Sequence, residues 1–113
     1  MMYTIIQQLI RYTQAMKERY QHAREGTQYS FDQDVVPFTK EIDNLISQLN
    51  GNAEYVIALP YMNKKKYHIL IQNLETLSVE CHYAKTSRKI FMEKLKSVKY
   101  DLKNIKESET HYG

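Results

Sequence analysis

Apolar residues recur at steps of three and four along most of the chain, the spacing that collects them on one face of a helix. The first such run begins at the amino terminus and predicts a helix over about residues 3–24, closed by Gly26 and Thr27. Its apolar positions are Ile5, Leu9, Tyr12 and Met16, followed by Tyr20 or Ala23.

A second run predicts a helix over about residues 31–49. Ser30 and Gln33 have the spacing of a capping box, in which the first residue caps the helix and the residue three positions later bonds back to it. Asn50-Gly51 provides a typical helix end. Pro37 lies too deep for the first turn and lacks a backbone donor, so we expect either a kink or a separate first turn there. The apolar positions are Val35, Phe38, Ile42, Leu45 and Leu49.

Residues 51–63 form a connector with apolar content of its own and room for one helical turn. From Asn63 onwards, steps of three and four continue almost to the end of the chain. The positions of this long pattern are Tyr67, Leu70, Leu74, Leu77, Cys81, Ala84, Arg88, Phe91, Leu95, Val98, Leu102 and Ile105.

The long pattern allows either one continuous helix or two helices joined by a turn at residues 83–87. A continuous helix would reach about 60 Å, whereas the first two helices span about 30 Å each. Half of its apolar face would then have no helix to pack against within the chain, and a second copy of the protein would have to cover it. Matching lengths favour the turn, with helices over about 64–84 and 87–106, a frayed end, and Thr86 or Ser87 as the N-cap.

Four amphipathic helices of similar length predict an all-α fold, an antiparallel four-helix up-and-down bundle formed by one domain over residues 1–113. The composition agrees, because the chain has only 3 Gly and 2 Pro, residues that interrupt helices. Arg88 is the charged position in the last apolar pattern, and we expect it to reach water at a helix end.

Several segments together resemble the YppE-like family of small bacterial proteins, found mainly in Gram-positive species. The resemblance implies an all-helical bundle with a turn near residue 85, and it implies no catalytic or binding residues, since the family has no assigned function. The segments are Glu18-Arg19-Tyr20 with Arg24, Tyr29-Ser30-Phe31 with Val35-Val36-Pro37, Asn73 to Cys81, and Thr86-Ser87-Arg88-Lys89 with Phe91 and Ser97-Val98.

The sequence lacks the residue patterns of common helical enzymes and carriers. A di-iron bundle needs Glu-x-x-His steps, which are absent, and three scattered Gly residues cannot form a phosphate-binding loop. Cys81 lies in the apolar pattern and is expected to pack in the core, with His82 pointing away from it if this segment is helical. We therefore expect no enzyme activity, no catalytic residue, no metal and no cofactor.

Charge divides the chain into an acidic and a basic half. Residues 1–56 carry five Lys or Arg against seven Asp or Glu, and the remainder carries eleven against six. Six lysines follow the last apolar pattern shifted by one residue, with Met92 as the interruption, and so form a basic stripe on one flank of the last helix. These lysines are Lys85, Lys89, Lys96, Lys99, Lys103 and Lys106.

The basic stripe has a structural and a functional interpretation. In the first, it pairs with acids of the second helix such as Asp34, Glu41 and Asp43, or stays solvated. In the second, it binds an acidic protein segment or, as a lesser variant, nucleic acid, and Lys64-Lys65-Lys66 extend the surface if they lie near. Sequence-specific nucleic-acid binding is not expected, because Arg clusters and interleaved aromatic residues are absent.

Two functions from different classes follow. The preferred one is a cytoplasmic interaction or adaptor module, monomeric or weakly self-associating, that uses the basic stripe. The alternative is a bundle that binds or converts a small anionic ligand near Arg19, Tyr20, Arg24 and Arg88, with Tyr29 as a further candidate. The single cysteine fits a reducing compartment, and the interrupted amino-terminal apolar segment is neither a signal peptide nor a membrane span.

Overall fold

The computed structural model describes the backbone of residues 2–112 and the side chains of residues 2–108. This part of the chain contains helices and turns but no strand, which confirms the all-α prediction. Its extents are 44 × 26 × 21 Å. The elements are α1 (Met2–Arg24), a π-helical turn (Phe31–Val35), α2 (Val36–Asn50), α3 (Ala53–Ile57), α4 (Lys64–Glu80) and α5 (Arg88–Tyr112).

The end of α1 is fixed by a Schellman motif centred on Gly26. The Thr27 N–H donates to the carbonyl of His22 at 2.9 Å, and the Gly26 N–H donates to that of Ala23 at 3.1 Å. These two bonds satisfy carbonyls that the helix itself leaves unpaired. Gly26 adopts a φ of 113°, which residues with a side chain rarely reach, so glycine is the residue that suits this turn.

Ser30 caps the second helical segment, and Pro37 explains why its first turn is separate. The Ser30 hydroxyl accepts a bond from the Gln33 N–H at 3.2 Å, while Asp34, and not Gln33, accepts the bond from the Ser30 N–H at 2.8 Å. The following turn is π-helical, and α2 then starts with Pro37 within its first turn. The Val36 N–H donates to the Phe31 carbonyl, so the helical backbone is continuous here, and the missing N–H of Pro37 interrupts the helical hydrogen bonds next to the π-helical turn.

The chain turns between α4 and α5 and does not continue as one helix. The α4 helix ends at Glu80, before the predicted end at residue 84, because the Thr86 hydroxyl donates to the Glu80 carbonyl at 3.0 Å. Ser87 caps α5 by accepting a bond from the Ile90 N–H at 3.3 Å. The α5 helix continues to Tyr112, through residues for which fraying was predicted, and Gly113 lies outside the described residues.

The four long helices enclose a single apolar core, with α1 packed against α2 and α5, and α4 packed against the same two helices. Near the end of α1, Tyr20 stacks on Phe91 near the start of α5, with ring centroids 4.2 Å apart. The short α3 helix lies in the connector, where Val56 and Leu59 reach the core. Burial of about 20 apolar side chains of this kind is the main stabilising contribution to such a fold.

Candidate functional site

The basic stripe lies on the flank of α5 that faces α1. At its carboxyl-terminal end, three of its lysines line a groove of about 450 Å³ together with Ile10, Thr13 and Gln14 of α1. The middle of the stripe borders a second groove of about 540 Å³, where Met92 provides apolar surface between Lys89 and Lys96. Arg88 and Glu93 also line this groove and add one charge of each sign. Lys85 lies in the turn before α5.

The α1 helix adds two cations to this surface. The pKa of Lys99 is lowered, first because its ammonium is partly buried and second because Lys17 of α1 lies nearby with the same charge. Farther along, the guanidinium of Arg24 donates to the carbonyl of Ala84 at 3.0 Å, next to Lys85. We call the surface formed by the stripe together with Lys17 and Arg24 the basic groove.

Sequence reasoning missed the contribution of α1, although a signal was present. Ile10, Gln14, Lys17, Gln21 and Arg24 follow one another at steps of four and three, so they share one flank of α1. That pattern gives a flank without an acidic residue, but it does not say which helix the flank faces.

The acids of α2 do not neutralise the basic groove. Glu41 accepts a hydrogen bond from the hydroxyl of Tyr12, and Asp34 accepts its bond from the backbone of Ser30. An ion pair joins Lys94 to Glu80 at 3.1 Å, and Lys94 is not part of the stripe. Among the described side chains, Asp34, Glu41 and Asp43 form no ion pair with the stripe, so the pairing that the structural interpretation expected is absent.

Lys64-Lys65-Lys66 do not extend the basic groove. They begin α4, whereas the groove lies between α1 and α5. The ammonium of Lys66 donates to the carbonyl of Tyr61 at 3.1 Å and lies near Asp101. Partial burial raises the pKa of Asp101, and the charge of Lys66 offsets part of this rise.

Arg19, predicted for the anionic-ligand site, is engaged in the protein itself. Its Nη1 lies 2.8 Å from Nε2 of His82, and the same atom donates to the carbonyl of Asp34 at 3.4 Å. The guanidinium also stacks over the ring of Phe38, 4.3 Å from its centroid, and lies 5.8 Å from the centroid of Tyr29. These contacts tie α1 to α2 and to the turn after α4.

Two other residues predicted for the anionic-ligand site, Tyr20 and Arg24, bond to the same turn between α4 and α5 that Arg19 contacts. The hydroxyl of Tyr20 donates to the carbonyl of Thr86 at 2.6 Å. Arg24 bonds to Ala84, as described above, and Arg88 is exposed at the first turn of α5, beside Lys89. Arg88 thus reaches water at a helix end, as predicted, while Arg19, Tyr20 and Arg24 each bond to the turn at residues 82–86.

His82 departs from the prediction, because it points inward and not away from the core. The expectation assumed that the helix continues to residue 84, but α4 ends at Glu80 and the turn redirects the side chain. His82 is only 2% exposed and packs edge-on against the rings of Phe38 and Tyr29. Burial lowers its pKa, so the imidazole is neutral and its Nε2 accepts the bond from Arg19.

Cys81 packs in the core, as the sequence predicts. Its side chain is fully buried, and burial raises the pKa of the thiol to about 12. A thiol in such surroundings is a poor nucleophile and a poor metal ligand. Within residues 2–108, no three His, Cys, Asp or Glu side chains cluster closely enough to hold a metal ion.

None of the helices in the described part of the chain combines the length and the apolar character that crossing a lipid bilayer requires.

Three solved structures resemble this chain closely along almost its whole length. A crystal structure of a bacterial domain of unknown function, MW1337 from Staphylococcus aureus, has 41% sequence identity and a TM-score of 0.92, and the match covers 95% of this chain and 94% of that one. Protein yppE from Bacillus subtilis has 21% identity and a TM-score of 0.87, with 96% and 92% covered. A protein of unknown function from Listeria innocua has 20% identity and a TM-score of 0.85, with 93% and 87% covered.

No curated protein matches the sequence. The resemblance to the YppE-like family is confirmed, since yppE is among the structures that share the fold. The sequence also matches a family described as a bacterial domain of unknown function, DUF1798, over residues 6–108. This chain therefore belongs to the bacterial DUF1798 family.

Proposed function

We propose that this protein is a non-enzymatic interaction module whose basic groove binds an acidic segment of another protein. The observation that supports this proposal is the position of Lys99. This lysine is half-buried, and the charged group that lowers its pKa further is Lys17, another cation. Partial burial of a charge without an opposite partner lowers the stability of the fold, so folding does not explain the position of this lysine. Binding of an acidic partner explains it, because the partner supplies the opposite charge.

A protein segment fits the groove better than a nucleic acid does. The cations alternate with apolar surface from Ile10 and Met92, and interfaces between proteins combine such surface with a charged rim. Stacking of several nucleobases needs a row of exposed aromatic rings beside the cations, whereas Tyr100 is the exposed ring among the described side chains of α5 and Tyr20 is buried against Phe91. From Lys85 to Lys106 the groove is about 30 Å long, enough for about ten extended residues.

The proposal includes an antiparallel up-and-down arrangement of the four long helices, which would make the groove rigid. It is supported by contacts that run in opposite directions along α1 and α2. Tyr12 meets Phe38 at a centroid distance of 5.5 Å, while Arg19, farther along α1, reaches back to Asp34. The α1 and α5 helices, which border the groove, also pack against each other, and such preorganisation lowers the entropic cost of binding.

We place this module in the cytoplasm as a monomer or weak homo-oligomer, in agreement with a single cysteine that is buried and free. The alternative, a small anionic ligand or its conversion, has less support. Arg19 and Arg24 each use Nη1 in internal bonds, and Arg88 lines a different groove.

The test measures binding of fluorescein-labelled decaglutamate by fluorescence anisotropy at low salt. Changing Lys89, Lys96 and Lys103 together to Glu should weaken binding about tenfold or more, because three attractive charges become repulsive. The matched control changes Lys40, Lys64 and Lys65 to Glu. It alters the net charge by the same amount but lies outside the groove, so it should retain most of the affinity. Circular dichroism checks that both variants keep their helices.

Two outcomes would contradict the proposal. Equal weakening by both triple variants would show that net charge, and not the groove, attracts the peptide. Tighter binding of a single-stranded oligonucleotide than of decaglutamate at physiological salt would identify the wrong class of partner, recognisable by a steep loss of affinity as salt rises.

A further inference from the structure

A cavity lies at the end of the basic groove where α1 ends and α5 begins. It is enclosed by the loop after α1 and the turn before α5 and has a volume of about 520 Å³. Pockets that hold a ligand or a side-chain anchor commonly fall between about 300 and 1,000 Å³. We call it the loop cavity, and the residues that matter for its chemistry are Ala23, Tyr29, His82, Tyr83, Ala84 and Lys85.

The inner wall of the loop cavity is apolar even though it contains a histidine. Nε2 of His82 is engaged by Arg19 at 2.8 Å, and Nδ1 lies 3.3 Å from the carbonyl of Val79. Both ring nitrogens are thus occupied, so His82 offers the cavity only carbon surface. Tyr29 packs edge-on against it, with centroids 5.0 Å apart and planes at 88°. This pair gives the cavity a wall that exists before any partner binds.

The rim of the loop cavity is cationic and continuous with the basic groove. Lys85 belongs to the basic stripe and also lines the cavity. Arg24 closes the neighbouring edge by donating to the carbonyl of Ala84. Because Lys85 belongs to both, a segment bound along the stripe reaches the mouth of the cavity.

We infer that the loop cavity binds a large apolar side chain, best an aromatic one, at one end of the acidic segment. This inference rests on the proposed function and adds the specificity that charge alone lacks. The polar Thr27 and Gln28 also line the cavity. His82 has no ring nitrogen free for a charged or amide side chain, whereas an aromatic ring can pack against Tyr29 and His82. Buried aromatic anchors surrounded by polar contacts are the usual centres of protein interfaces.

The experiment uses four labelled peptides built on decaglutamate, which spans about 33 Å when extended. Two carry a phenylalanine at the amino or the carboxyl end, and two carry alanine at the same places. Since the direction of binding is open, one of the phenylalanine peptides should bind the wild type about fivefold or more tightly than its alanine counterpart. The other orientation should show little gain.

Variants that fill the loop cavity then locate the effect. Ala84→Phe and the milder Ala84→Leu should remove the gain from phenylalanine and leave binding of the alanine peptides nearly unchanged. Ala58→Phe is the matched control, since Ala58 is also an exposed alanine but follows α3, away from the cavity, and the gain should persist there. Circular dichroism confirms that the variants are folded.

The outcomes separate this inference from the proposed function. If phenylalanine gives no gain at either end, or if the gain survives both changes at Ala84, the anchor is wrong while binding to the stripe stands. If decaglutamate binds the wild type no better than the variant with glutamate at positions 89, 96 and 103, the proposed function fails and the anchor fails with it.

Discussion

At the residue scale, Arg19 and His82 show how one contact can join distant parts of the chain. The two residues are 63 positions apart, yet Nη1 of Arg19 lies 2.8 Å from Nε2 of His82. Nε2 must be unprotonated to accept this bond, and Nδ1 carries the proton towards the carbonyl of Val79. The charges that face His82 are Arg19, which disfavours protonation, and Asp34, which favours it less strongly.

This contact predicts that the protein loses stability in mild acid. Burial lowers the pKa of His82 in the folded protein, whereas a histidine in the unfolded chain titrates near its ordinary value of about 6.5. Below that pH the unfolded state binds a proton that the folded state resists, so the free energy of unfolding should fall as pH falls from about 7 towards the folded pKa. Urea unfolding at a series of pH values measures this slope.

Two histidine variants isolate the cause of this pH dependence. His82→Gln can still accept the bond from Arg19 but does not titrate, so its unfolding free energy should depend less on pH than that of the wild type. His22→Gln changes an exposed histidine near the end of α1 and should keep the wild-type slope. Equal slopes for the wild type and His82→Gln would exclude His82 as the origin.

The sequence predicts the positions of some buried and charged side chains better than others. Cys81 and Arg88 were placed correctly, the first in the core and the second at an exposed helix end, because both follow from the apolar pattern and from the cost of burying a charge. His82 was placed wrongly, because its direction depends on the residue at which α4 ends. His82 lies two residues beyond that end, so the backbone of the turn, and not the helical spacing, sets its direction.

At the scale of single elements, Gly26 provides a direct test of how α1 ends. Its φ of 113° lies in the region that a Cβ atom disfavours, although the space around that position is open. Gly26→Ala should therefore cost about 1 kcal/mol of unfolding free energy through backbone strain alone. Urea denaturation followed by circular dichroism measures this loss.

Gly51 is the matched control, because it lies at the end of α2 with an ordinary φ of −63°. Gly51→Ala places a Cβ 3.2 Å from the carbonyl oxygen of Gln48, a contact that a small adjustment relieves. Its effect should remain within about 0.5 kcal/mol, since alanine also restricts the unfolded chain. A loss at Gly51 as large as that at Gly26 would contradict the role of the positive φ.

The existence of the helices follows from the sequence more readily than their ends do. Length matching favoured a turn within the long pattern, and the chain does turn between Glu80 and Arg88. The early end of α4 depends on the Thr86 hydroxyl, which bonds to the Glu80 carbonyl six positions earlier. Tyr20 of α1 holds the same turn by donating to the Thr86 carbonyl. Tertiary bonds of this kind have no local signature in the sequence.

At the scale of the whole molecule, the basic groove exists only because two helices meet. The lysines of α5 are visible as a stripe in the sequence, and their spacing places them on one flank. The facing cations, Lys17 and Arg24, become part of the same surface only when α1 packs beside α5. Likewise, the acids of α2 face α1 and the loop, so the balance of charge along the chain does not predict the balance on its surface.

This arrangement predicts that the groove favours binding at the expense of stability, and Lys99 tests it. Lys99→Met removes a half-buried charge that faces Lys17, so it should raise the free energy of unfolding by about 0.5 kcal/mol at low salt, the scale of exposed charge interactions. Added salt should shrink the difference, because screening weakens the repulsion in the wild type. Lys40→Met, at an exposed position of α2, should change stability little.

The same Lys99→Met change should weaken decaglutamate binding, since it removes one attractive charge from the groove. A variant that is both less stable and unchanged in binding would show that Lys99 serves the fold and not the partner.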